Sequence, residues 1–91
     1  MPVVRIPSVL REHTGDAAEV EVVGETVRVA IDDLATRHPA LRERLFDGGE
    51  IRGFVNVYVD DEDIRYLDGL DTPVEDGAEI AIMPAVAGGA G

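Results

Sequence analysis

The residues best placed to do chemistry close the chain: Pro84-Ala-Val-Ala-Gly-Gly-Ala-Gly91. A diglycine, Gly88-Gly89, follows closely on a strand-like run. Glycine has no Cβ, so this pair can thread a channel too narrow for any other residue. The Gly89 carbonyl is also open to attack, without a branched neighbour in the way. No catalytic side chain needs such an ending, but chemistry on a main-chain carboxyl group does. The tail therefore points to a protein whose reactive group is its own C-terminus, with Ala85, Val86 and Ala87 as a slender arm.

The remaining candidates argue for little. There is no cysteine, which removes disulfides, thiolate ligands and a nucleophilic thiol together. There is no lysine, and all eight cations are arginine, so no side-chain amine can accept an isopeptide bond. His13 and His38 stand apart with no ligand spacing. Asp60, Asp61, Glu62 and Asp63 lack the spacing and central glycine of a calcium loop and read as a solvated turn. Ser8, Thr14 and Thr26 have no adjacent base, and Asp32 and Asp33 read as helix-surface charges. No side-chain constellation supports an enzyme, and no metal site is expected.

The chain has 91 residues, 45% of them hydrophobic, which is enough for one modest core. Its net charge of −11 disfavours nucleic acid and anionic membranes, and steers the protein toward a basic docking surface. No apolar run of ~20 residues offers a membrane span. Arg5 and Pro7 interrupt the N-terminal apolar residues before a signal-peptide core can form. The expectation is a cytoplasmic protein that is monomeric on its own.

The elements that must position the tail can be read from periodicity. Val3 through Leu10 reads as an opening strand with an irregular end at Pro7, and His13 through Asp16 as a turn. Glu19-Val-Glu-Val-Val23 alternates as a half-buried strand should, so the two runs are expected to pair as a hairpin. Gly24-Glu25-Thr26 ends that strand, with Thr26 as N-cap. Val27, Ala30, Ile31 and Leu34 then mark an amphipathic helix ending near His38, before Pro39. Pro39 opens a short second helix carrying Leu41, Leu45 and Phe46, which Asp47-Gly-Gly49 stops. Phe54 through Val59 is the strongest strand, and Ile64 through Leu67 reads as a short one. Leu70 through Gly77 is a loop, and Glu79 through Met83 is the closing strand. The expected inward residues are Val3, Val20, Val22, Val55, Val57, Ile80 and Ile82. This predicts an α+β fold, a β-grasp of four to five mixed strands with one main and one short helix. The domain spans residues 1–84 and a flexible tail spans 85–91. By alternation Phe54, Tyr58 and Met83 should form an apolar patch on the outer face, available for partner docking.

This order, with Phe54-Val-Asn-Val-Tyr58 before an acidic turn and Asp76-Gly-Ala-Glu-Ile80 leading to Pro84-Ala-Val-Ala-Gly-Gly89, resembles the ubiquitin-like sulfur carriers of the MoaD/ThiS family. The tail looks most like the CysO-type carriers. The resemblance implies that an E1-like adenylyltransferase/sulfurtransferase adenylates the terminal glycine and that a thiocarboxylate replaces the adenylate. A sulfur-accepting synthase would then serve cysteine or secondary-metabolite biosynthesis, and a zinc metalloprotease of the JAMM type would act on the carrier. By the same resemblance no cofactor is bound by this chain; ATP, zinc and pyridoxal phosphate belong to the partner enzymes. A molybdopterin synthase small subunit and a ubiquitin-like protein modifier are the alternatives. One departure stands out: Ala90-Gly91 follow the diglycine. Either they are removed, or Gly91 is itself activated, or the extension keeps the carrier inactive.

Overall fold

The computed structural model describes residues 1–47, 50–52 and 55–84. Strand β1 (Val3–Arg5) is followed by a 3-10 helix (Ser8–His13) and strand β2 (Glu19–Glu21). Helices α1 (Val27–Arg37) and α2 (Pro39–Leu45) come next, then β3 (Phe46–Asp47), β4 (Glu50–Ile51) and β5 (Val55–Val59). Strand β6 (Glu62–Asp63), 3-10 turns at Ile64–Tyr66 and Gly69–Asp71, and β7 (Glu79–Pro84) complete the order. The main sheet runs β2-β1-β7-β5-β6, and β3 pairs with β4 separately. Within the main sheet β1 and β7 are parallel and every other neighbouring pair is antiparallel. The fold is an α+β β-grasp with a mixed five-stranded sheet.

Helix α1 forms where its apolar period and cap coincide. Thr26 Oγ1 accepts the Val29 N–H at 3.3 Å, satisfying one of the donors a helix start leaves free. The Val27 N–H donates to the Thr72 carbonyl and the Val74 N–H to the Glu25 carbonyl, so the loop before β7 latches the helix start. Val27, Ala30, Ile31, Leu34 and Ala35 are buried along one side. All but Ala35 share a core with Val4, Ile6, Val22, Val57, Ile80 and Ile82. Pro39 occupies the first turn of α2, where its missing N–H costs nothing, and Leu41 and Leu45 join the same core.

Gly24 is required by contact rather than by backbone angle. A Cβ there would lie 2.5 Å from the Ala30 nitrogen and 2.9 Å from its Cα. Beside it, the Val23 N–H donates to Asp33 Oδ2 at 2.9 Å, tying the end of β2 to the side of α1.

Three expectations need correction. Val3 is only half-buried and lies on the outer face, while Val4 is fully enclosed. Two adjacent valines leave the phase of a three-residue strand open, and Ile6 two residues on settles it for Val4. Residues after Arg5 do not continue as strand to Leu10; a 3-10 helix takes over at Ser8. Ile64 through Leu67 is also not a strand. The Asp63 side chain accepts the Arg65 N–H at 2.8 Å and caps a 3-10 turn there instead.

Candidate functional site

The site is the bare face of the sheet together with the end of β7. Strand β7 lies between β1 and β5, and its last residue, Pro84, pairs with Val55. The diglycine segment is joined to the fold at this point. Ala85, Val86, Ala87, Gly88, Gly89, Ala90 and Gly91 themselves lie outside the described residues, as does Phe54 of the expected patch.

Alternation fixes the faces. Val55, Val57 and Val59 are buried under the helices, so Asn56 and Tyr58 are turned outward and are half-buried. The register sets Met83 beside Asn56 and Ala81 beside Tyr58. Met83 is 54% exposed. Tyr58 and Met83 therefore occupy one face next to the root of the tail, as the sequence reading expected.

Neighbouring strands extend the face. Arg5 lies beside Ala81, and its guanidinium reaches Glu79 at 3.4 Å. Glu19 and Glu21 of β2 are exposed, flanking Val20, which packs inward. At the opposite edge Asp63 pairs with Tyr58. Its buried carboxylate accepts Arg65 Nη2 at 2.8 Å and Nε at 3.2 Å. These bonds, with that from the Arg65 N–H, hold the Asp63 carboxyl below the usual carboxylate range. The same pairing raises Arg65, and the Tyr66 and Tyr58 side chains add to it electrostatically. Tyr66 projects fully, at 84% exposure.

Arg65 and Tyr66 were missed at the sequence level, because a strand through Ile64–Leu67 would have alternated them away. The signal was present in Asp63, a good cap two residues before Arg65. The histidines are not brought into any site. Among the described residues no three His, Asp or Glu side chains gather as metal ligands, and no helix is long and apolar enough to cross a membrane. A groove of about 320 Å³ runs along the free edge of β5, between Arg52 and Arg65, lined by Val55, Ile64 and Leu70. It presents arginines and carboxylates but no serine, histidine or other nucleophile–base pair.

The ThiS family model matches residues 4–89. The chain belongs to the ThiS family. Sulfur carrier protein CysO of Mycobacterium tuberculosis is 45% identical over 89 residues, covering 94% of this chain and 96% of that protein. A chain of the crystal structure of the Amycolatopsis orientalis BexX/CysO complex superposes with a TM-score of 0.91 at 45% identity, over 97% of this chain and 99% of that one. The solution structure of small archaeal modifier protein 1 from Methanosarcina acetivorans has a TM-score of 0.87 at 32% identity, covering 96% and 94%. Proteins of the ThiS and CysO type are small ubiquitin-like carriers, not enzymes.

Proposed function

We propose that this chain is a sulfur carrier whose C-terminal glycine is converted to a thiocarboxylate. The observation that carries the reading is the 45% identity to CysO over nearly the whole of both chains, on a body of the same fold. The family match ends at residue 89, the second glycine, which supports Gly89 as the reacting residue and Ala90-Gly91 as a removable extension. Activation needs a free carboxylate, so Gly89 is silent until a JAMM-type zinc metalloprotease hydrolyses the Gly89–Ala90 bond.

The freed carboxylate then attacks the α-phosphorus of ATP on an E1-like adenylyltransferase, and pyrophosphate leaves. A carboxylate is a poor electrophile, whereas the mixed anhydride carries a good leaving group. Hydrogensulfide forms the C–S bond as the C–O bond to AMP breaks, leaving the thiocarboxylate. That sulfur is a strong nucleophile at neutral pH and carries the charge into a sulfur-accepting synthase. This chain contributes a slim arm and a docking face. From Pro84 to Gly89 an extended arm spans roughly 17 Å, enough to reach from a docked body into an enclosed centre. ATP, zinc and pyridoxal phosphate are assigned to the partners. The acceptor pathway proposed is cysteine or thio-compound biosynthesis, and the compartment is the cytoplasm.

Intact-mass analysis of the protein from its native host tests this. Loss of Ala-Gly, followed by exchange of one oxygen for sulfur, is expected. A full-length, unmodified chain in cells making their sulfur compounds would refute it. The likeness to small archaeal modifier protein 1 favours a second reading, a protein modifier joined to lysines of other proteins. Denaturing blots separate the two, since a modifier gives covalent ladders and a carrier gives one band of low mass.

A further inference from the structure

An acyl-adenylate reacts with amines as well as with sulfide, and an amide formed that way does not revert under mild conditions. All eight cations of this chain are arginine and none is lysine. A guanidinium stays protonated at neutral pH and has no lone pair to offer. A hydroxyl ester, or an acyl-imidazole at His13 or His38, would be returned by water, so only amide formation would be a permanent loss. The amine that remains is that of Met1. It donates to Asp76 Oδ1 at 3.0 Å, and the Gly77 N–H donates to the Met1 carbonyl at 3.4 Å. Strands β1 and β7 run parallel, so Met1 lies level with the residues just before β7, at the pole opposite Pro84. From Gly77 to Pro84 the chain covers about 22 Å at strand rise.

We propose that the body of this chain is inert toward its own activated terminus, so that Gly89, once activated, is spent only on an outside nucleophile. The proposal rests on the carrier reading. The arm beyond Pro84 reaches roughly 17 Å at full extension, and β7 runs away from Met1 as it arrives there. Doubling back shortens that reach, so the Gly89 carbonyl falls short of the Met1 nitrogen. Loss of Met1 would leave only the ring nitrogen of Pro2, which is buried at the same pole. The cations within range are Arg5, level with Ala81, and Arg52, whose carbonyl accepts the Val55 N–H. Arginine keeps the charge at both places without supplying a nucleophile. A lysine there would attack: its nitrogen would bond to the Gly89 carbonyl carbon, the bond to AMP would break, and a proton would pass to water. The product, an internal lactam, could no longer carry sulfur. Between copies, the net charge of −11 opposes the approach of one chain's terminus to another's amine.

The test uses residues 1–89 with a small alkyl thioester at Gly89, prepared chemically without any partner enzyme. The protein is kept dilute at about pH 9, where amines gain free base. Intact mass separates the products. Hydrolysis gives the acid, whereas internal attack expels the thiol and gives a chain lighter than the acid by one water. The parent should yield acid only. Arg5→Lys puts an amine about 10 Å back from Pro84, at an effective concentration near millimolar, and should give about tenfold or more of the lighter product than the parent. Arg28→Lys, at the start of α1 beyond the Met1-side end of β2, should match the parent. A parent that yields the lighter product would overturn the proposal. So would an Arg5→Lys chain no more reactive than the parent, or an Arg28→Lys chain as reactive as Arg5→Lys. Because the thioester is made chemically, these outcomes leave the carrier reading standing, and that reading falls only on the mass of the protein from its native host.

Discussion

Replacing Gly24 by alanine tests the joint between the end of β2 and helix α1. The new Cβ meets the Ala30 nitrogen at 2.5 Å and the Ala30 Cα and Val29 carbonyl carbon at 2.9 Å. All three are backbone atoms in the first turns of α1, so no side-chain rotation relieves the contact. Truncating Ala30 to glycine would not help either. The helix must move away from β2, loosening Val22, Ala30 and Ile31, which are fully enclosed, and stretching the Val23–Asp33 bond. Overpacking of this kind costs about 2–3 kcal/mol. For a chain of this length that lowers the melting temperature by about 10–15 °C. Gly77→Ala is the comparison. Gly77 has φ +82° but nothing within 4 Å of its added Cβ, so only the left-handed backbone resists, at about 1 kcal/mol. Thermal melting by circular dichroism of both variants decides the matter. A Gly24→Ala protein melting within about 3 °C of the parent, or above Gly77→Ala, would refute the steric argument.

Three further outcomes are expected. Asp60 and Asp61 form the two-residue loop between β5 and β6 with φ of +48° and +74°. Asp60 also accepts the Glu79 N–H, so Asp61→Gly alone should stabilise, by about 0.5–1 kcal/mol in urea titration; a loss of stability would contradict the turn. Asp63 has its carboxyl lowered in the folded state, so the stability it contributes is present above the unfolded value of 3.8 and is lost as pH falls through the lower folded value. Urea titrations from about pH 5 to pH 2 should show the parent losing more stability than Asp63→Asn in that acid window, and parallel curves would exclude the Arg65 bond as the cause. Gly89→Val should abolish sulfur transfer while leaving melting unchanged, read by mass analysis of the terminus. Undiminished thiocarboxylate in that variant would overturn the need for a side-chain-free residue at position 89.

Much of this fold was legible because its signals were local and mutually consistent. Thr26 before an i, i+3, i+4 apolar run specifies α1, and Pro39 both closes it and opens α2. Val55 and Val57 alternate long enough to fix the phase of β5, which in turn places Tyr58 and Met83 together. What escaped was settled by tertiary contact. Strand β1 is three residues long, too short for its own pattern to set a phase. Gly24 reads as a strand terminator, and nothing near it in sequence announces the helix turn it faces. Arg65 was hidden because Asp63 competes for the backbone at the edge of the sheet and converts a possible strand into a capped turn. The chemistry proposed for Gly88-Gly89 rests on residue type, since it depends on the absence of side chains, and those residues lie outside the described ones.

The position of β7 bears on how firmly the body holds the segment that follows it. A terminus attached to an edge strand would peel that strand when drawn into a channel, because only one ladder would resist. Here β7 has β5 on one side and, as far as Ala81, β1 on the other. Ile80 and Ile82, fully or almost fully enclosed, anchor it beneath. The pairing with β5 runs the full way to Pro84, while that with β1 ends at Ala81. Resistance is therefore greatest at the start of β7 and falls toward the tail. Pro84, with no N–H to donate and a restricted φ, is the last described residue of that ladder.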